Sequence, residues 1–199
     1  MNVPAGAAFD ARMRAIPTAL FRHALAALSV AALLPVFSEP VTTTLAGSGV
    51  RGSGGDGAAA TLAKLDNPFG VVRGPDGAIW FCEYDGQVVR HIAGTGAKGF
   101  TGNGGPAKEA TFAGPKGISV GPGGDVYLAD TENHAVRKID AKSGRIELVV
   151  GAGEKGDGPE GDPLKCRLSR PHGIFVDRDG TLLIGDSENH RIVRLLPPG

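Results

Sequence analysis

The feature that most limits how this chain can fold is a unit that occurs three times along it. The copies align without gaps, as PFGVVRGPDGAIWFCEYDGQVVRHI (68–92), PKGISVGPGGDVYLADTENHAVRKI (115–139) and PHGIFVDRDGTLLIGDSENHRIVRL (171–195). Corresponding residues of successive copies lie 47 and 56 positions apart, and the glycines that begin the Gly-rich linkers between them lie 47 and 57 positions apart. A period of this length indicates a propeller or a solenoid, because one such unit cannot bury both of its faces alone.

Each copy has the pattern of short antiparallel strands. A Pro-x-Gly sequence opens the first apolar run, and Asp-Gly or Gly-Gly pairs then supply the positive φ angles that hairpins need. The middle copy continues into a clear fourth strand at 145–150, whereas the first copy is either three-stranded or uses 88–93 in an intermediate position. The sequence therefore predicts an all-β fold, a β-propeller of about three blades at 68–92, 115–150 and 171–196.

The charge balance argues against one class of partner. The 199 residues include 21 Lys and Arg and 21 Asp and Glu, so the formal net charge is zero. A protein that gains affinity by neutralising phosphates needs clustered Lys and Arg. The sequence therefore predicts that the partner is not a nucleic acid.

The first 38 residues differ in kind from the repeats. Three arginines and a histidine precede the uncharged run ALAALSVAALLPV at 24–36. This run is too short to span a bilayer, which takes about 20 residues, but a basic stretch followed by about 7–15 apolar residues is typical of a secretory signal peptide. We therefore predict a signal-like helix and signal peptide at 1–38, read from Met1 or Met13. Residues 39–199 are then expected outside the cytoplasm, in the periplasm or secreted.

The repeats resemble NHL repeats of the secreted bacterial type. Each second strand ends in an acidic residue, and two copies continue in a D-x-x-N-H motif, Asp130-Thr-Glu-Asn133-His134 and Asp186-Ser-Glu-Asn189-His190. The first copy departs, with Glu83 and Gly86-Gln87 in these places. The resemblance covers about 41–196 and implies a six-bladed propeller. Members of the family bind proteins, RNA or carbohydrates, so the fold does not determine the function.

We interpret the D-x-x-N-H motif as structural. Its Asp can accept backbone N–H groups across the hairpin while its Asn takes the left-handed turn, and a catalytic set is rarely duplicated in tandem. Four residues are therefore assigned to the turns: Asn133, His134, Asn189 and His190.

The candidate binding surface is the mouth of the central channel. Phe69, Lys116 and His172 occupy one repeat position just before the inner strands, so they are expected to face the channel. The acids that end the second strands are predicted at the same mouth: Glu83, Asp130 and Asp186. The sequence thus favours a non-catalytic, exported interaction module that binds a protein or a glycan through its channel mouth and loops.

The alternative is a metal-dependent lyase or lactonase-like enzyme centred on the channel. The segment around His172 resembles a repeat of the peptidyl-α-hydroxyglycine α-amidating lyases, NHL-type propellers that bind zinc through channel histidines. A catalytic zinc needs about three protein ligands, and Phe69 and Lys116 cannot provide the others. No cofactor is therefore the first expectation, with Zn or Ca as the alternative. The acid-rich linker 154–162 could hold Ca²⁺, but a solvated loop is the preferred interpretation.

Three blades are fewer than the roughly four to eight of closed propellers. The segment 41–45 aligns with the outer strand at 145–150. One hypothesis is a homodimeric six-bladed ring in which each chain lends 41–45 to the third blade of the other. The other hypothesis is that further blades belong to a longer protein.

Overall fold

A computed structural model describes residues 42–90 and 92–197, which form strands and short 3₁₀ helices. The strands are β1 (Pro68–Arg73), β2 (Ile79–Glu83), β3 (Val88–Val89), β4 (Pro115–Val120), β5 (Val126–Asp130), β6 (Ala135–Ile139), β7 (Ile146–Val150), β8 (Pro171–Val176), β9 (Leu182–Asp186) and β10 (Arg191–Leu195). The 3₁₀ helices are Ala60–Leu62, Ala107–Glu109, Thr131–Asn133 and Ser187–Asn189. Within these ranges no helix is long and apolar enough to cross a membrane. The predicted signal peptide lies outside the described residues.

The strands form three antiparallel sheets, each of which is one blade of a partial β-propeller. Their orders are β1-β2-β3, β4-β5-β6-β7 and β8-β9-β10. In the second blade, for example, Ile118 of β4 pairs with Leu128 of β5, which pairs in turn with Arg137 of β6. The prediction of an all-β propeller with about three blades is confirmed.

The first blade is shorter than the sequence pattern predicts. Its third strand ends at Val89 rather than Ile92, because Val89 and Ala93 exchange backbone hydrogen bonds of 2.9 and 3.1 Å that turn the chain back. The blade therefore has three strands, the first of the two alternatives. The fourth strand of the second blade is present and begins at Ile146. Residues 42–45 form no strand within the chain, and their pairing with a second chain stays a prediction.

Apolar side chains between neighbouring blades form two cores. The core between the first and second blades includes Cys82, Phe112 and Leu128, and the one between the second and third includes Val136, Leu168 and Ile184. All six side chains are fully buried. Since each core is shared by two sheets, each blade depends on its neighbour for stability.

Glycines let the inner strands of successive blades pack closely. A Cβ atom on Gly70 would lie 2.4 Å from the carbonyl oxygen of Lys116, and one on Gly117 would lie 2.4 Å from that of His172. No side chain tolerates such a distance, so glycine is required after the x residue of Pro-x-Gly. This close packing brings the three x residues side by side.

Candidate binding site at the channel mouth

The x residues of the three Pro-x-Gly sequences come together, as the sequence predicts. Lys116, at the start of β4, lies between Phe69 of β1 and His172 of β8. Its Nζ atom is 3.0 Å from His172 Nε2 and 5.4 Å from the centre of the Phe69 ring. With three further residues they form the mouth cluster: Phe69, Lys116, His172, Tyr84, Glu132 and Arg170.

Lys116 carries the charge at the centre of this cluster. Its Nζ atom also lies 4.8 Å from the centre of the Tyr84 ring, within the range of a cation–π contact. Partial burial lowers the pKa of Lys116, and the positive charge of Arg170 lowers it further. In the part of the chain that the structure describes, no carboxylate oxygen lies within 4.0 Å of this ammonium group.

His172 shares the environment of Lys116. Partial burial lowers the pKa of His172, and the charges of Lys116 and Arg170 act in the same direction. A neutral imidazole can accept a hydrogen bond from the Lys116 ammonium group, which leaves other N–H donors of the lysine free. An incoming carboxylate would meet those donors, and its negative charge would favour the protonated form of His172.

A second set of contacts fixes Tyr84 and Arg170 around Glu132. The Tyr84 hydroxyl donates to Glu132 Oε1 at 2.8 Å, and Arg170 donates to the same carboxylate from Nη2 at 2.6 Å and from Nε at 3.0 Å. Burial alone would raise the pKa of Glu132, but the hydrogen bonds from Arg170 and Tyr84 outweigh it and lower the pKa. Glu132 therefore remains ionised and holds residues of three blades together.

Arg170 also joins the second blade to the third. Its Nη1 atom donates to Glu188 Oε1 at 3.1 Å, and its backbone N–H donates to His134 Nδ1 at 3.1 Å. Hydrogen bonds from Lys155 and Arg170 lower the pKa of Glu188 to about 2. Because both acids are occupied by Arg170, the mouth cluster keeps one uncompensated cation, Lys116.

The sequence prediction of this site missed Tyr84, Glu132 and Arg170, although the alignment contained a signal for two of them. Asp85, Glu132 and Glu188 occupy one repeat position, two residues after the acid that ends the second strand of each copy. Arg170 stands just before a Pro-x-Gly sequence and has a positive φ of 47°. An acid repeated at the mouth edge, followed by an arginine at the next inner strand, predicts an ion pair between blades.

The acids Glu83, Asp130 and Asp186 were predicted at the channel mouth, and this placement needs correction. All three side chains are fully buried and paired with arginines. Their partners are Arg90 at 3.1 Å, Arg137 at 3.4 Å and Arg191 at 2.8 Å, respectively. An arginine on the third strand of the blade, or just after that strand in the case of Arg90, holds each carboxylate inside the blade, where a ligand at the mouth cannot reach it.

The D-x-x-N-H motif closes the turn, but the His residue takes the left-handed conformation that was predicted for the Asn. His134 and His190 take the left-handed conformation, each with φ 52°, whereas the Asn side chains donate back to the Asp. Asn133 Nδ2 donates to Asp130 Oδ2 at 2.9 Å, and Asn189 Nδ2 to Asp186 Oδ2 at 2.7 Å. Each Asp also accepts a backbone N–H, from Ala113 at 2.7 Å and Ser169 at 2.6 Å.

The geometry offers no ligand set for a metal in the described ranges. No group of three His, Cys, Asp or Glu side chains there could hold an ion, and the Nε2 atom of His172 lies 3.0 Å from the Lys116 ammonium group. In the acid-rich linker, Glu154 pairs with Arg167, Asp157 with Arg191 and Asp162 with Lys165. These ion pairs occupy three of the four linker carboxylates that were considered for Ca²⁺, and the fourth is Glu160.

Comparison with known proteins agrees with the repeat pattern. Residues 112–139 and 168–195 match the family model of the NHL repeat. Over 62 residues the chain is 39% identical to the E3 ubiquitin-protein ligase TRIM71 of Xenopus tropicalis, which covers 31% of this chain and 8% of the ligase. The prediction of NHL repeats is confirmed.

Solved structures share the fold. An auxiliary nutrient binding protein of Bacteroides ovatus superposes with a TM-score of 0.58 at 19% identity, over 70% of this chain and 39% of that one. A structural genomics protein of unknown function from Bacteroides thetaiotaomicron gives 0.55 at 22% identity, over 60% and 32%. The chain thus spans less than two fifths of these structures, and the likeness concerns the fold alone.

Proposed function

The chain contains NHL repeats in consecutive blades of a partial propeller, and from this we infer that it is an exported, non-catalytic binding module. Its mouth cluster takes a carboxylate from an acidic segment of a partner protein. The observation that carries the proposal is the Lys116–His172 pair, two partly buried basic side chains whose nitrogen atoms lie 3.0 Å apart. Their nearest acid, Glu132, is held by Arg170 and Tyr84. A ligand carboxylate supplies the missing negative charge.

The aromatic rings of the cluster favour a peptide over a glycan. The Lys116 ammonium group lies 5.4 Å from the centre of the Phe69 ring and 4.8 Å from that of the Tyr84 ring, so a ligand that contacts these rings also meets its charge. Phe69 remains 39% exposed, so an apolar side chain next to the acid of a peptide has a surface to contact. An acidic glycan is the other outcome that the binding experiment can report.

Lys116→Met is expected to weaken binding of a blocked hexaglutamate peptide by roughly 10- to 100-fold, as expected for a hydrogen bond to a charged group worth about 1.5–3 kcal/mol. Isothermal titration calorimetry measures the affinity. Lys142→Met, in the exposed hairpin turn after β6, is the matched control and keeps the affinity. Hexaglutamine tests the need for charge, and oligogalacturonate tests the glycan. Binding of oligogalacturonate alone, or an equal loss in both variants, contradicts the proposal.

The same titration repeated across pH examines His172. Its pKa in the free protein lies below the ordinary value of about 6.5, and a bound carboxylate raises it. Binding therefore takes up a proton, so affinity is expected to increase as the pH falls from 7.5 towards 5.5, through the window between the bound and free pKa values. His172→Gln should remove this dependence while the effect of Lys116 persists. A pH-independent affinity in the unaltered protein contradicts this role.

Export is supported by the basic and then apolar pattern of residues 1–38. N-terminal sequencing of the protein from the extracytoplasmic fraction of the expressing cell is expected to begin near Glu39. Replacing Leu33 and Leu34, in the apolar run, by aspartate should keep the chain in the cytoplasm. A cytoplasmic product that retains Met1 or Met13 contradicts export. It does not affect the binding proposal, which the calorimetric titration tests separately.

A further inference from the structure

The turn of the second blade meets the inner strand of the third blade through a contact that depends on a titratable group. The backbone N–H of Arg170 donates to Nδ1 of His134 at 3.1 Å. A backbone N–H group can only donate, so Nδ1 is the acceptor and the imidazole is neutral, with its proton on Nε2. A further proton on Nδ1 would place two N–H groups against each other and break this hydrogen bond.

The first and second blades make the same contact with a residue that does not titrate. Gln87 occupies the repeat position of His134, and its Oε1 atom accepts the backbone N–H of Gly114, the counterpart of Arg170, at 2.6 Å. Gln87 and His134 also share the left-handed conformation, with φ angles of 56° and 52°. The two junctions therefore have the same arrangement and differ in the acceptor, an amide oxygen in one and an imidazole nitrogen in the other.

The backbone of Arg170 has a particular need for this acceptor. Its φ of 47° lies in the left-handed region, which is costly for a residue with a side chain, and the following Pro171 restricts its backbone further. Gly114 takes a φ of 56° at the corresponding position, where the lack of a Cβ atom removes that cost. The hydrogen bond to His134 therefore helps to hold Arg170 in a conformation that it would otherwise leave.

Four charged groups act on the His134 ring: Glu132 on its own turn, Lys155 in the linker, Arg170 before β8 and Glu188 on the turn of the third blade. Partial burial lowers the pKa of His134 most, the two cations lower it as well, and the two acids raise it, with a net lowering. Both acids are already paired, Glu132 with Arg170 at 2.6 Å and Glu188 with Lys155 at 2.7 Å. They therefore offset a charge on the ring only in part.

We propose that His134 is a pH-sensitive switch at the junction between the second and third blades. The neutral ring holds the N–H group and the left-handed backbone of Arg170, and the protonated ring releases both. The switch requires no ligand, so it stands independently of the carboxylate site.

The direction of the pH effect follows from the lowered pKa. The unfolded chain takes up the proton on His134 at a higher pH than the folded chain does. The stabilisation is therefore complete above the ordinary pKa of about 6.5, and it is lost as the pH falls from there through the lower pKa of the folded state. The junction that uses Gln87 does not respond in this range.

NMR titration of the ¹⁵N-labelled full chain between about pH 8 and pH 5 tests the proposal. Long-range ¹H–¹⁵N spectra of His134 are expected to show the Nε2–H tautomer at neutral pH and a pKa below that of the same residue in the urea-unfolded chain. The Arg170 amide signal should shift with the same midpoint. Its protection against hydrogen exchange should fall below that midpoint by roughly 2- to 10-fold, the equilibrium equivalent of one hydrogen bond. The Gly114 amide, which faces Gln87, is the internal control and shows no such midpoint.

Exchanging the two acceptors provides matched variants. His134→Gln gives the second junction the acceptor of the first and should remove the midpoint from the Arg170 amide. Gln87→His should introduce a midpoint at the Gly114 amide. In urea unfolding, His134→Gln should lose less stability between neutral and acidic pH than the unaltered protein does. His172, whose pKa is also lowered, is present in both proteins, so its effect cancels in this comparison.

Three results would overturn the switch. They are an Nδ1–H tautomer of His134 at neutral pH, an Arg170 amide that does not follow the titration of His134, and a midpoint that is unchanged in His134→Gln. The first two readouts use the unaltered protein, so they decide the proposal even where a substitution prevents folding.

Discussion

Replacing Asp130 by alanine is expected to lower the free energy of unfolding by about 3–5 kcal/mol, since it breaks a buried ion pair from one side. Both Asp130 and Arg137 are fully buried, with Oδ2 and Nη1 3.4 Å apart. Without the carboxylate, the guanidinium group keeps its charge in the interior. The N–H of Ala113 also loses its acceptor, 2.7 Å away, and an unpaired buried donor adds to the loss.

Urea unfolding followed by circular dichroism measures this effect at one fixed protein concentration. Asp157→Ala is the matched control, because Asp157 pairs with Arg191 at 2.6 Å but is 75% exposed. Such an exposed pair contributes less than about 1 kcal/mol. Asp130→Asn keeps an acceptor for Ala113 and should fall between the two. Equal decreases in the free energy of unfolding for Asp130→Ala and Asp157→Ala would show that the buried ion pair stabilises the fold no more than the exposed one.

The reason for this expected loss lies in what Arg137 holds. Its Nη2 atom donates to the carbonyl of Thr101 at 2.7 Å and its Nη1 atom to that of Thr111 at 2.8 Å. The guanidinium group also lies 5.5 Å from the ring centre of Phe100 and 5.1 Å from that of Phe112. Arg137 thus ties the linker between the first two blades to the second blade, and Asp130 balances its charge.

The blade architecture was predictable because it depends on local patterns. Alternating short apolar runs, Asp-Gly turns and the spacing of Pro-x-Gly act through backbone geometry, which an ungapped alignment records directly. The same alignment gives Phe69, Lys116 and His172 equivalent positions at the start of adjacent inner strands. These three residues share a repeat position, and the inner strands of successive blades lie next to each other.

The buried ion pairs could not be predicted in this way. Arg90 and Arg137 occupy one repeat position, but the third blade has Val193 there and uses Arg191, two residues earlier, to reach Asp186. A long arginine side chain can reach one carboxylate from more than one position. Each blade therefore has an acid–arginine pair, although the arginine does not stand at the same repeat position in all three. The alignment therefore identifies the three acids but does not identify the arginines that pair with them in the interior.

Gly117→Ala is expected to lower the free energy of unfolding by about 1–3 kcal/mol or more, the range for overpacking a tight interface. The added Cβ atom would lie 2.4 Å from the His172 carbonyl oxygen and 3.3 Å from Ala129 Cβ. A backbone oxygen cannot turn aside as a flexible side chain can, so β4 and β8 must separate. The separation also moves His172 away from Lys116, and affinity for the acidic peptide should fall although no residue of the mouth cluster is altered.

Gly123→Ala is the control for this prediction, because a Cβ atom there meets nothing within 4 Å. Its free energy of unfolding should stay within about 0.5 kcal/mol of the unaltered protein, with the peptide affinity unchanged. Urea unfolding and calorimetry on the two variants separate the causes. A destabilised Gly117→Ala protein with full affinity would mean that the Lys116–His172 distance is not set by the contact between inner strands. A stable one would mean that β4 and β8 have room to move apart.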